Sequence, residues 1–143
     1  MNWKNEAIER LSKYAAMKQS LEVIPLELCR LEQSITGLRG CRPGKIRVAT
    51  TPGRQEDVLL GNLIKQEELS RSFDNAKAWV TTTDLALSVL SREERMILQR
   101  MYIQPQKGVV NQLCGELGME QSSIYRRRDN ALYQFTIALY GVS

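Results

Sequence analysis

Histidine is absent from this chain, and its three cysteines, Cys29, Cys41 and Cys114, are widely separated. A structural zinc site needs about four well-spaced nitrogen or sulfur ligands, so we expect no metal site. Without histidine, acid–base catalysis would fall to carboxylates, lysines or a thiolate, and no carboxylate pair stands out from ordinary surface charge. The composition therefore predicts a protein that is not an enzyme and uses no cofactor.

Long apolar runs are also absent. No window approaches the roughly 20 apolar residues that span a bilayer, and the polar start of the chain, residues 1–6, predicts no signal peptide. An odd number of cysteines favours free thiols in a reducing compartment. We therefore expect a cytoplasmic protein without a membrane partner.

The formal net charge of +4 is distributed unevenly along the 143 residues. Residues 39–54 carry five basic side chains and no acidic one, residues 55–90 carry three basic and six acidic, and residues 91–143 carry seven basic and five acidic. Such a mild basic excess permits a nucleic-acid partner without requiring one.

Two heptad stripes dominate the first part of the sequence. Apolar residues recur in alternating steps of three and four over residues 14–38 and lie on one heptad frame over residues 59–90. This pattern is typical of helices packed side by side. We predict a long antiparallel, coiled-coil-like helical hairpin over residues 1–90. The alternative is that the first stripe forms a dimerising coiled coil. We expect the region over residues 1–90 to serve in oligomerisation.

Four residues depart from the stripes. Pro25 removes a backbone donor and predicts a kink or a short break near Ile24. The second stripe is interrupted by polar residues that cost stability but can fix register: Asn62, Gln66 and Thr83.

Residues 39–54 connect the two stripes and contain several glycines and prolines, which predicts a loop. Two interpretations of its basic charge are open. The loop is either a solvated connection or a phosphate-binding segment, in which case the contacts would come from Arg42, Lys45 and Arg47.

Residues 91–143 form a different pattern, with three short helices. Ser91 and Glu94 form a capping box at the start of the first helix. Gly118 provides a left-handed turn between the second and third helices. The last helix is expected over about residues 121–140. This order predicts a helix-turn-helix DNA-binding domain.

The last helix is polar and basic on the side expected to face outward. Arginine is the preferred bidentate reader of guanine, and glutamine of adenine. The alternative is that consecutive arginines form only a solvated face. Arg128 falls on the inward side, so it must extend to solvent or pair with a carboxylate. The candidate DNA-binding residues are Gln121, Ser122, Ser123, Tyr125, Arg126 and Arg127.

These motifs resemble those of two known families. Residues 90–98, LSREERMIL, followed by residues 113–119, LCGELGM, resemble sigma-factor region four, the promoter-reading helix-turn-helix. Residues 123–128, SIYRRR, with Ala131-Leu132 and the ending Leu139-Tyr140-Gly141, resemble phage transcriptional regulators of the ArpU/RinA type.

The resemblance covers about residues 88–141. It implies a sequence-specific phage or prophage transcription regulator of late or packaging genes that reads the major groove of double-stranded DNA in a bacterial host cell. It carries the DNA-facing role to the six candidate residues of the last helix. Apart from the resemblance, the helical hairpin leads us to expect a homodimer, and RNA polymerase is considered as a further partner. The chain departs from region four at Arg128, where an apolar residue is usual.

Two other functions remain open. A small-terminase-like packaging protein of a phage also joins a helix-turn-helix to a coiled coil, and a ring of many subunits would favour it over a dimeric regulator. The other alternative is an interaction module whose basic helix binds RNA polymerase or another acidic protein.

Overall fold

The computed structural model of the chain describes residues 2–39 and 52–141, with side chains described for residues 2–36 and 56–141. No strand occurs among these residues, so the predicted all-α class is confirmed. The helices are α1 (Trp3–Arg39), α2 (Pro52–Ser88), α3 (Arg92–Leu98), a π-helical turn (Gln99–Ile103), α4 (Val109–Leu117) and α5 (Gln121–Tyr140).

The chain divides into two compact units. The first unit contains residues 1–18 and 78–143, and the second contains residues 19–77. The sequence placed a boundary at residue 90 instead. The two divisions differ because the N-terminal part of α1 and the C-terminal part of α2 share a buried core with the C-terminal helices.

The main core of the first unit joins four helices. Its buried residues are Ala7, Leu11, Ala86, Leu87, Leu90, Leu98, Ala131, Leu132 and Phe135. Fully burying a leucine or phenylalanine contributes about 1.5–3 kcal/mol, so this cluster is a large part of the stability of the unit. The predicted stripe of α1 began at Tyr14 and missed Ala7 and Leu11, although both continue it by steps of four and three.

A partly buried polar contact joins α1 to α2 within the first unit. Arg10 Nε donates to Thr83 Oγ1 at 2.9 Å, and the Thr83 hydroxyl donates to the Trp79 carbonyl oxygen at 2.8 Å. The Arg10 guanidinium also lies 4.6 Å from the centroid of the Trp79 ring. Thr83, which interrupts the predicted stripe, is thus fully buried with its hydrogen bonds made.

Tyr14 makes a second contact between the same two helices. Its hydroxyl donates a short hydrogen bond to the Asp84 carboxylate. Burial, followed by this bond to Asp84, raises the pKa of Tyr14 from 10.0 to about 12. Because the folded-state pKa lies above the ordinary value, the contact stabilises the fold at neutral pH and is lost as the pH rises through about 12.

The second unit contains the remaining parts of α1 and α2. Leu31, Ile35 and Ala76 are buried there, and the Asn62 amide donates to Ser34 Oγ at 3.4 Å. These burials agree with the predicted stripes.

Pro25 lies inside α1, and the helix continues through it, so the predicted short break is wrong. Proline removes a single backbone donor. Because the Pro25 side chain is exposed, the ring displaces no core residue, and long helical segments on both sides hold the geometry.

The stripe assignment can be tested with two leucines of α1. Leu31 is 2% exposed and Leu26 is 73% exposed. Leu31→Asp places a carboxylate in the core and should cost at least the roughly 2–5 kcal/mol of a buried leucine truncation. Leu26→Asp, the matched control, should change stability by less than about 0.5 kcal/mol. Thermal unfolding followed by circular dichroism measures both, and equal losses would refute the assignment.

Candidate nucleic-acid interface

The C-terminal helices begin at a well-formed cap. Ser91 is extended and its Oγ accepts a hydrogen bond from the Glu94 amide at 3.2 Å. This confirms the serine half of the predicted capping box. Glu93 and Glu94 occupy the first turn of α3, where carboxylates interact favourably with the helix dipole.

α3 passes directly into the π-helical turn, which the sequence did not predict. The Gln104 amide donates to the Gln99 carbonyl at 2.8 Å, a bond across five residues. A π turn inserts an extra residue into the helical path and re-aims the side chains around it. Arg100, which lies on this turn, forms an ion pair with Glu116 of α4.

The turn between α4 and α5 has the predicted backbone. Gly118 is left-handed with φ 63°, and its amide bonds to the Cys114 carbonyl. Three residues, 118–120, separate α4 from α5. Gly108, also left-handed at φ 70°, precedes α4.

A second hydrophobic cluster joins α3, α4 and α5. Its buried residues are Ile97, Val109, Leu113 and Ile124. Cys114 is half-buried against this cluster, as expected for a thiol that packs rather than reacts. The half-buried hydrophobic residues around it also include Met96, Met101, Val110, Leu117 and Met119.

α5 has one buried stripe and one exposed polar edge. The buried residues are Ile124, Ala131, Leu132, Phe135 and Thr136. The exposed polar edge near its N-terminus consists of Gln121, Ser122, Tyr125 and Arg126. We call these four residues the α5 edge. No side chain caps the N-terminus of α5, so its first amides remain free for another acceptor.

The structure separates the six candidate residues of α5 into different environments. Four form the α5 edge. Ser123 is half-buried, and Arg127 is exposed but paired. The candidate phosphate contacts of the basic loop, Arg42, Lys45 and Arg47, lie outside the described residues.

Arg127 ties α5 to α3. Its Nη1 lies 2.5 Å from a carboxylate oxygen of Glu93, and about half of each side chain is exposed. A surface pair of this kind is worth about 0–1 kcal/mol, so it adds little to the stability of the fold. Arg126 has no side-chain partner among the described residues.

Arg128 pairs with a carboxylate, one of the two outcomes expected for its inward position. Its Nε and Nη2 donate to Asp129 Oδ1 at 3.1 and 2.9 Å, and its guanidinium lies 4.9 Å from the Tyr125 ring centroid. Asp129 also binds the Lys4 ammonium at 2.8 Å. Lys4, and then Arg128, hold the pKa of Asp129 below its ordinary value against the opposing effect of burial.

The three consecutive arginines therefore differ in whether a nearby carboxylate neutralises their charge. Arg127 and Arg128 each face a carboxylate, whereas the positive charge of Arg126 is uncompensated by an ion pair in the described part of the chain. Sequence reasoning missed this difference because Glu93 is distant from Arg127 along the chain.

Residues 2–39 and 52–141 show neither a metal-binding cluster nor a helix that could span a membrane. These residues contain no cluster of three or more histidine, cysteine, aspartate or glutamate side chains arranged to hold a metal ion. None of their helices combines the length and apolar character needed to cross a bilayer. Comparisons with protein-family models, with curated proteins and with solved structures find no match for the chain.

The turn can be tested with two glycines, Gly118 and Gly115, at which an added β-carbon would meet no neighbouring atom. Gly118→Ala forces a left-handed alanine and should destabilise the protein by about 1–2 kcal/mol. Gly115→Ala lies within helix α4 and should stabilise it by about 0.5–1 kcal/mol. Denaturant unfolding of both variants should show opposite signs, and the same sign for both would contradict the turn geometry.

Proposed function

We propose that this chain is a sequence-specific DNA-binding protein in which α5 enters the major groove of double-stranded DNA. The observation that supports this most strongly is the α5 edge, exposed on a helix whose opposite side is buried. By its resemblance, it acts as a phage or prophage transcription regulator in the cytoplasm of a bacterial host.

The local geometry supports a helix-turn-helix formed by α4, residues 118–120 and α5. Helix-turn-helix motifs join their helices by a turn of three or four residues that often contains glycine. Here the turn has three residues and begins with left-handed Gly118. Leu113 and Ile124 are fully buried in the same cluster, which fixes α5 against α4.

The chemistry of the α5 edge suits a base-reading surface. Arg126 can donate two hydrogen bonds to guanine, and Gln121 can pair with adenine. Ser122 and the free amides at the start of α5 can bind phosphate. Arg127 then positions the helix through Glu93 and adds charge near the backbone.

The long helices would set the spacing between two copies of this reader. We propose that α1 and α2 form an antiparallel hairpin and that a second copy of the chain completes a dimer. The contact between Arg10 and Thr83 in the first unit and the contact between Ser34 and Asn62 in the second each join α1 to α2, which supports side-by-side packing of the two helices within each unit. A two-fold dimer would bind half-sites about 34–36 Å apart.

Variants of Arg126 and Arg127 can distinguish a residue that reads bases from a residue that positions the helix. Arg126→Ala should cost about 1–3 kcal/mol on the preferred site and relax base preference at one position. Arg127→Ala, which removes a similar charge, should weaken binding without changing base preference and should lower stability by at most about 1 kcal/mol. Selection of sites from random duplexes, followed by fluorescence anisotropy, measures both effects.

A base preference that is unchanged in Arg126→Ala would argue against α5 as the reading helix. A change of preference confined to Arg127→Ala would transfer the reading role to that residue. Thermal unfolding of each variant serves as the control that the fold is intact.

A further inference from the structure

An open groove of about 770 Å³ runs along α3, the π-helical turn and α4. Its lining includes three arginines, Arg92, Arg95 and Arg100, and four glutamines. The lining residues come from α3 to α4, and none comes from α5. The groove is therefore distinct from the α5 edge.

The positive charge of the three arginines in the groove is neutralised only in part by carboxylates of its lining. Glu116 is its one lining carboxylate, and it is bound by Arg100. Arg95 donates to the Leu90 carbonyl at 3.3 Å, and neither Arg95 nor Arg92 has a carboxylate partner in the described residues. Concave surfaces lined by one sign of charge concentrate the field and attract anions.

The groove continues toward α5. Arg92 also borders a neighbouring crevice that contains two carboxylates, Glu93 and Glu116, both paired with arginines: Glu93 with Arg127 of α5 and Glu116 with Arg100. Glu93 thus connects the rim of the groove, at Arg92, with α5. A polyanion that extends beyond the groove would meet α5 as well, whereas a short acidic peptide in the groove would engage its arginines alone.

We propose that the groove binds the phosphodiester backbone of DNA beside the segment read by α5. Arg92 and Arg95 contact phosphate oxygens, and the glutamine amides donate further hydrogen bonds. This inference rests on the proposed function, and it assigns to α3 and the π-helical turn a role in affinity rather than in base reading.

The test is the salt dependence of binding to a duplex that carries the preferred site. Arg92→Gln and Arg95→Gln remove a charge and keep a long polar side chain. Each should lower the slope of log affinity against log salt by about 1, and the double variant should lower it by about 2, with base preference unchanged. Arg71→Gln on α2, an exposed arginine paired with Glu67, is the matched control and should leave the slope unchanged.

The outcomes distinguish a failure of the groove assignment from a failure of the proposed DNA-binding function. Wild-type slopes in all groove variants, with wild-type base preference, overturn the groove assignment and leave the α5 reader intact. Failure of the wild-type protein to bind any duplex at low salt overturns both.

A parallel titration uses a peptide of alternating aspartate and alanine, with its asparagine counterpart as the control. Binding of the aspartate peptide that is lost in Arg92→Gln, together with unchanged DNA slopes, assigns the groove to an acidic protein segment and overturns the DNA assignment. Thermal unfolding shows whether the double variant keeps its fold.

Discussion

The rotation of α5 about its own axis is the constraint on which the interface depends. Ile124 is fully buried in the cluster with α3 and α4, while Leu132 and Phe135 are fully buried in the larger core of the first unit. Anchoring at two separate clusters leaves the helix little freedom to roll, because each exposed anchor would forfeit about 1.5–3 kcal/mol. The α5 edge faces outward as a consequence of this packing.

The three arginines of α5 show how packing changes what a charged sequence can do. Arg127 is held by Glu93, and Arg128 is held by Asp129. Arg126 has no ion-pair partner in the described residues, so in the proposed function it is the arginine available for specific hydrogen bonds. In the proposed function, base selection thus concentrates on few side chains, while the neighbouring arginines orient the helix and supply general affinity. This division agrees with the broader rule that phosphate contacts position a protein and base contacts specify the sequence.

Local rules predicted much of this structure, and nonlocal contacts account for what was missed. The serine cap, left-handed Gly118 and the bounds of α5 follow from short-range backbone chemistry, and the long helices follow from heptad periodicity. The π-helical turn has no clear signature in the sequence, and the Glu93–Arg127 pair depends on how α3 meets α5. The basic groove was missed for the same reason. Pro25 was expected to cause a kink or a short break, and the helix continues through it without a break.

The central claim, that the α5 edge contacts DNA, is tested most directly by nuclear magnetic resonance of the isotope-labelled full chain titrated with its preferred duplex. The account predicts that backbone amide shifts at Gln121, Ser122, Tyr125 and Arg126 move most, with smaller changes at Arg92 and Arg95. Binding that leaves the α5 edge unperturbed and shifts only resonances elsewhere in the chain would contradict it.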